Sequence, residues 1–350
     1  MKKLIPILLL LSALGAKAQD PQLDYWWYNT NNNMINGILT DVESAYYDNN
    51  YVYISSSGIP DYYQFGQSVN DAADQNWTFR FPRNPVDQTG TKTSVPGGPV
   101  GLLLDGSAFF NPFDARSWQN QGIWNQVAYY FEGNDFDSSN GHSTPGNVYH
   151  HHVDPTELHD FDSTRHSPII GFAFDGYPVY GPFGYADAND TTIDITRMKP
   201  SYQVRSMTSR TTLPDGTVSA GPPINNSYPL GGYGEDYEYI ANSGDLDEYN
   251  GRWCKTPEYP NGTYAYFCTV DANLDPLYPY FIGPYKYYGV VANGDLGPNG
   301  GNVTIPQNAT QYTPTITGLD AAQYLNWIVY PNPAKDEIHI STGAEGIYTL

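Results

Sequence analysis

The chain has 350 residues, 37 of them acidic and 16 basic, for a formal charge of −21. That balance excludes nucleic acid as a partner, because phosphate recognition needs an excess of Lys and Arg, and it argues against anionic membrane surfaces. With 34 Gly and 28 Pro, long helices are excluded as well, and 32 Tyr supply much of the apolar surface.

In chain order, residues 1–18 (MKKLIPILLLLSALGAKA) read as a signal peptide. Lys2 and Lys3 precede an apolar run from Ile5 to Leu14, and Ala16-Lys17-Ala18 is a small-x-small cleavage site. The run is too short to span a bilayer, and no later stretch is apolar enough, so the mature protein is expected to be exported and soluble. Residues 19–50 form a polar, Asn-rich lead-in whose segment ILTDVESAYY is weakly helical. From residue 51 to 290, short alternating runs recur between Gly, Pro, Asn and Asp. They include YVYISSSGIP, NWTFRFPR, PVGLLLDGSAFF with a turn at Asp105-Gly106, and SPIIGFAFDGYPVYGPFGY with a turn at Asp175-Gly176. This pattern predicts an all-β sandwich or barrel with few helices, and no internal repeat is evident in the letters. Residues 291–323, rich in Gly, Pro and Asn, read as a linker to a C-terminal region at 324–350.

The two cysteines, Cys254 and Cys268, flank KTPEYPNGTYAYF. A hairpin turning near Asn261 would set position 254 opposite 268, and a cross-strand disulfide is then the expectation.

Of seven histidines, His142, His150, His151 and His152 fall within residues 141–152, GHSTPGNVYHHH. On a strand, side chains alternate between faces. His150 and His152 then point one way, and Tyr149, His151 and Val153 the other. Two adjacent imidazoles suit a metal, and the STPGN turn could return His142 beside them. Asp175, His166 and Asp154 are further candidates for a third ligand. Nitrogen ligands of this number suit zinc or copper. His151 reads as packing or surface rather than a ligand, and His159 and His166 as parts of a solvated loop. The acidic loops Asp187–Asp194 and Gly244–Gly251 offer oxygens for calcium, but neither has the full calcium-loop pattern, and solvated turns fit them better.

Several separated blocks carry a family resemblance. Tyr149-His150-His151-His152, preceded by Asn140-Gly141-His142, resembles the motif of YHYH-domain proteins, with His151 in place of the second Tyr. The blocks IIGFAFDGYPVYGP, SYQVR and GGYGEDYEYIANSGDLDEYNGRWCKTPEYPNGTYAYF follow in the order that the family shows. The resemblance implies that His142, His150, His152 and Asp175-Gly176 share one site, and it supplies no substrate. Ser139 stands where family members often carry Cys. The resemblance therefore leaves room for a rewired bridge in which Cys254–Cys268 replaces one to that position. At the other end, YLNWIVYPNPAKDEIHIS resembles the start of a type IX secretion sorting domain, shortened because the chain stops at Leu350. That resemblance implies the type IX machinery as a partner and the surface or medium of a two-membrane bacterium as destination. Two functions remain open. One is a metal-dependent enzyme such as a hydrolase, with Asp175 as base. The other is a metal-binding or surface module whose tyrosines contact extracellular glycans or proteins.

Overall fold

The computed structural model describes residues 20–67, 69–292 and 296–314, together with three short strands nearer the C-terminus. The chain divides into two compact units, Met1–Gln311 and Tyr312–Leu350.

In the first unit, β1 (Val42–Tyr47), β2 (Tyr51–Ser56) and β3 (Trp77–Pro82) form an antiparallel sheet, and Thr310–Gln311 pairs with the other edge of β1. The weakly helical ILTDVESAYY is therefore strand. Asp41 holds φ at +60° just before β1, and the β2 edge satisfies the backbone from Val42 onward. Pairing of this kind outweighs a weak local preference. The N-terminal part of the expected linker, through Gln311, also belongs to this unit. Thr78 donates its N–H to Gly301 and accepts from Val303.

The larger sheet has eight strands. They are β4 (Pro99–Leu103), β5 (Ala108–Phe110), β6 (Gly141–Ser143), β7 (Tyr149–His151), β8 (Ile169–Ala173), β9 (Pro178–Tyr180), β10 (Gly251–Cys254) and β11 (Thr263–Phe267), in the spatial order β6-β7-β5-β4-β8-β9-β11-β10. Aromatic side chains join the two sheets. Phe79 of β3 stacks on Phe174 at 4.6 Å, and Trp26 packs on both Phe81 and Phe172. The helices Pro21–Asp24 and Ala128–Phe131 are single turns, so the described residues form an all-β fold, as composition predicts.

The larger sheet is duplicated, which the letters alone did not reveal. Shifting the β4–β5 hairpin by 70 residues (171 − 101) reproduces the β8–β9 hairpin. Gly101, Asp105, Gly106, Pro112 and Phe113 recur as Gly171, Asp175, Gly176, Pro182 and Phe183. β4 and β8 are antiparallel with Leu102 opposite Phe172. These two positions correspond, so a pseudo-two-fold axis passes through that pair. A Cβ on Gly101 would lie 2.4 Å from the Phe172 carbonyl, and one on Gly171 would lie 2.5 Å from the Leu102 carbonyl. Glycine at the axis is a steric requirement. On either side, β5 takes β7 in parallel, with Phe109 opposite His151, and β9 takes β11 in parallel, with Val179 opposite Tyr266. The outer hairpins match too. Asp137 accepts from the Gly141 N–H and the Tyr149 hydroxyl, and Asp247 accepts from the Gly251 N–H and the Tyr264 hydroxyl. By register, His142, His150 and His152 correspond to Arg252, Ala265 and Phe267. The scaffold is doubled, and the histidine cluster belongs to one half.

The hairpin of β10 and β11 exists, but it corrects the disulfide. Cys254 faces Thr263, and both cysteines are free, buried thiols. The turn lies earlier than Asn261, because the Tyr259 N–H bonds back to the Thr256 hydroxyl and the Tyr259 carbonyl accepts from Gly262. Cys268 thus falls five residues past the partner of Cys254 (268 − 263), roughly 16 Å along the strand at ~3.3 Å per residue. Burial raises both thiol pKa values.

In the second unit, Ile328–Tyr330, His339–Ser341 and Ile347–Thr349 form an antiparallel three-stranded sheet. Residues 1–19, which hold the expected signal peptide, and Pro331–Ala334 of the sorting motif lie outside the described residues.

Candidate metal centre

Strand register builds the histidine site. β6 and β7 are antiparallel with His142 directly opposite His150. Cross-strand partners share a face and stand close. His152 follows two residues after His150 and returns to that face. One ring nitrogen from each of the three lies within 4.8 Å of the other two, and all three residues are buried. This is the trio expected from the i,i+2 pair and the intervening turn.

Hydrogen bonds orient the rings. Nδ1 of His150 lies 3.1 Å from the Val148 carbonyl, and Nδ1 of His152 lies 2.7 Å from the Asn111 carbonyl. A carbonyl only accepts, so in both rings Nδ1 carries the proton. Each neutral ring therefore keeps a bare lone pair on Nε2. Those two Nε2 atoms face one another at 3.0 Å, and His142 Nε2 is buried without a hydrogen-bond partner among the described residues. Phe110 stacks on His150 at 4.0 Å, and Phe136 flanks His142 and His152. Burial depresses all three imidazoles, His142 to about 4, His152 to about 3, and His150 well below its ordinary value. A proton is thus a poor occupant at neutral pH. Converging lone pairs with carbonyl-anchored Nδ1–H groups are the usual arrangement of metal-binding histidines.

Glu132 joins the group, and no sequence motif marks it. It caps the turn Ala128–Phe131, its N–H donating to the Ala128 carbonyl. Its Oε2 lies 3.6 Å from His152 Nε2 and 3.7 Å from His142 Nε2. Burial, then Asp114, pushes its carboxyl up to about 7.

The other candidates lie elsewhere. Asp175 is buried and takes hydrogen bonds from the Tyr266 hydroxyl at 2.6 Å and the Gly289 N–H at 2.8 Å, and burial raises it to about 6. It occupies the duplicated turn position equivalent to Asp105. The structure does not bring it, Asp154 or His166 to the trio. Asp154 bonds to His159 Nε2 at 2.9 and 3.1 Å, so the His159 imidazole sits in an inward-facing pair rather than a solvated loop. Burial opposes its charge, but Asp154 and Asp160 together outweigh burial and raise its pKa. His166 is also buried, its Nδ1 donating to the Ser167 carbonyl, and burial lowers it to about 4.

His151 lies on the opposite face, fully buried, with only the Asn140 backbone facing its ring and no well-formed hydrogen bond to either ring nitrogen among the described residues. In the other half its counterpart Tyr266 reaches Asp175. Here Asp105 receives Tyr62 instead, at 2.7 Å. We expect His151→Tyr combined with Tyr62→Phe, which frees Asp105 for the new hydroxyl, to keep stability within about 1 kcal/mol of the parent, leaving metal content unchanged. Thermal melts check this, and a clear loss of stability would count against the equivalence.

Among curated proteins and solved structures, nothing matches the chain. The family model described as YHYH protein matches residues 78–277, a span that holds the three histidines, Glu132 and both copies of the Asp-Gly hairpin, and the chain belongs to that family.

Proposed function

We propose that this YHYH domain is a metal-binding module that holds one transition-metal ion, zinc or copper, through His142, His150 and His152. The observation that carries the reading is the 3.0 Å approach of two Nε2 atoms whose Nδ1 protons are fixed by carbonyls. A cation removes that repulsion and also serves the unpartnered Nε2 of His142. Imidazole donors in this number suit zinc and copper. When bound, such an ion supplies Lewis acidity. The chain's own part is to orient three lone pairs, exclude water with Phe110 and Phe136, and present a carboxylate beside them. The reading includes export by the N-terminal leader and the C-terminal sorting sequence, which would place the module outside the cell.

Elemental analysis of the purified full chain tests the proposal, beside a variant with His150→Ala and His152→Ala. Near-stoichiometric zinc or copper that is lost from the variant is the expected result. No metal in either protein, after each ion has been offered, would overturn it.

A further inference from the structure

We infer that Glu132 is the fourth ligand, so that the ion is held by three imidazoles and one carboxylate. The inference rests on the three-histidine reading and adds a donor that neither the motif nor the spacing contains.

The edge lengths are the first argument. A tetrahedral ion with bonds of about 2.0–2.1 Å places its ligand atoms roughly 3.3 Å apart. His150 Nε2 and His152 Nε2 are 3.0 Å apart, and Glu132 Oε2 lies 3.6 Å from His152 Nε2 and 3.7 Å from His142 Nε2. Both contacts exceed hydrogen-bond length, yet both are close to ligand–ligand spacing. Oε2 stands beside two of the three nitrogens, and a turn of the Glu132 side chain would carry it over the face that all three define, where a fourth donor belongs.

Charge gives the second argument. Three neutral imidazoles bring no negative charge to a dication among buried aromatic rings, and burying uncompensated charge is costly. A carboxylate reduces the net charge of the centre from +2 to +1. The Glu132 carboxylate approaches the neutral imidazoles of His142 and His152 without forming an ion pair with them.

Mobility supplies the third. The Glu132 side chain is 33% exposed and follows a single helical turn, so a small rotation brings Oε2 onto an ion without disturbing the core. In the other half of the sheet, Arg252, Ala265 and Phe267 replace the histidines, and no equivalent group of ligands forms among the described residues.

Cobalt(II) is the probe, because its visible bands report coordination number and donor set. The metal-stripped full chain and its Glu132→Gln variant are titrated with Co²⁺ alone, and affinity and spectrum are read together. The expected wild-type spectrum is the intense one of a four-coordinate ion. Glu132→Gln should bind at least ~10–100-fold more weakly, the cost of losing even an outer partner, with altered bands. Equal affinity and an identical spectrum in both proteins would overturn the role of Glu132 while leaving the three-histidine site standing. Failure of the wild-type chain to bind Co²⁺ would overturn both.

Discussion

Changing Arg210 to methionine should destabilise the first unit by about 3–5 kcal/mol, the usual result of removing one partner from a buried ion pair, and lower its melting temperature by roughly 10 °C. Arg210 and Asp236 have side chains with no exposure at all. Nε and Nη2 of Arg210 hold the two carboxylate oxygens at 2.6 and 2.7 Å, and the remaining donors meet the carbonyls of Pro222, Tyr228 and Pro229. The ring of Tyr233 lies under the guanidinium at 4.8 Å. Asp236 also accepts from the N–H groups of Gly231 and Tyr233, so the pair knots the loop Gly231–Asp236 to the segment Arg210–Pro229. The loop in turn supports the turn that carries Glu132. The Gly232 carbonyl accepts from Val127, the ring of Tyr233 packs on Phe131, and Glu235 holds the backbone and side-chain nitrogens of Asn125. Arg210→Met leaves a buried, uncompensated carboxylate, whereas Arg210→Met with Asp236→Leu removes both charges and should recover most of the loss. Chemical denaturation of the three proteins measures this. A single-variant loss below about 1 kcal/mol would show that the loop is held by something else.

What the sequence disclosed follows from what is local. The H-x-H pair was legible because strand alternation is a property of two neighbouring residues. His142 was legible because a short turn, STPGN, leaves few ways for the chain to return. The Asp-Gly turns at 105 and 175 were legible for the same reason. Cys254 and Cys268 were misjudged because pairing depends on where a longer loop folds, and the Thr256–Tyr259 contact moves the turn by a few residues. Asp175 reads as a site residue by resemblance, yet its role comes from the duplication, in which it is the partner of Asp105. The duplication itself was hidden because its two copies share only a few letters, glycines and aspartates mostly, and the connections between corresponding strands differ in length. Glu132 was out of reach altogether. It lies on a different local element from the histidines, and only the pairing of β5, β6 and β7 sets the frame in which it meets them.

Adding zinc to the metal-stripped chain at about 100 times its dissociation constant should stabilise the first unit by about 2.7 kcal/mol, and His150→Ala should abolish that gain. His150 is the decisive position because it binds the site together from both directions. It faces His142 across the strand pair, and its Nε2 meets that of His152. Truncation to Ala also removes the ring stacked on Phe110, so the variant will melt lower with or without metal. The informative quantity is therefore the difference between the stripped and loaded forms of each protein. His151→Ala serves as the control, since His151 lies on the other face of the same strand, and it should lower stability while keeping the zinc-dependent gain. The two variants remove the same imidazole from adjacent positions, which makes the comparison a direct test of strand alternation. Equal zinc-dependent gains in wild type and His150→Ala would place any bound zinc outside the cluster. Loss of the gain in His151→Ala alone would mean that the metal-binding face has been assigned to the wrong side of the sheet.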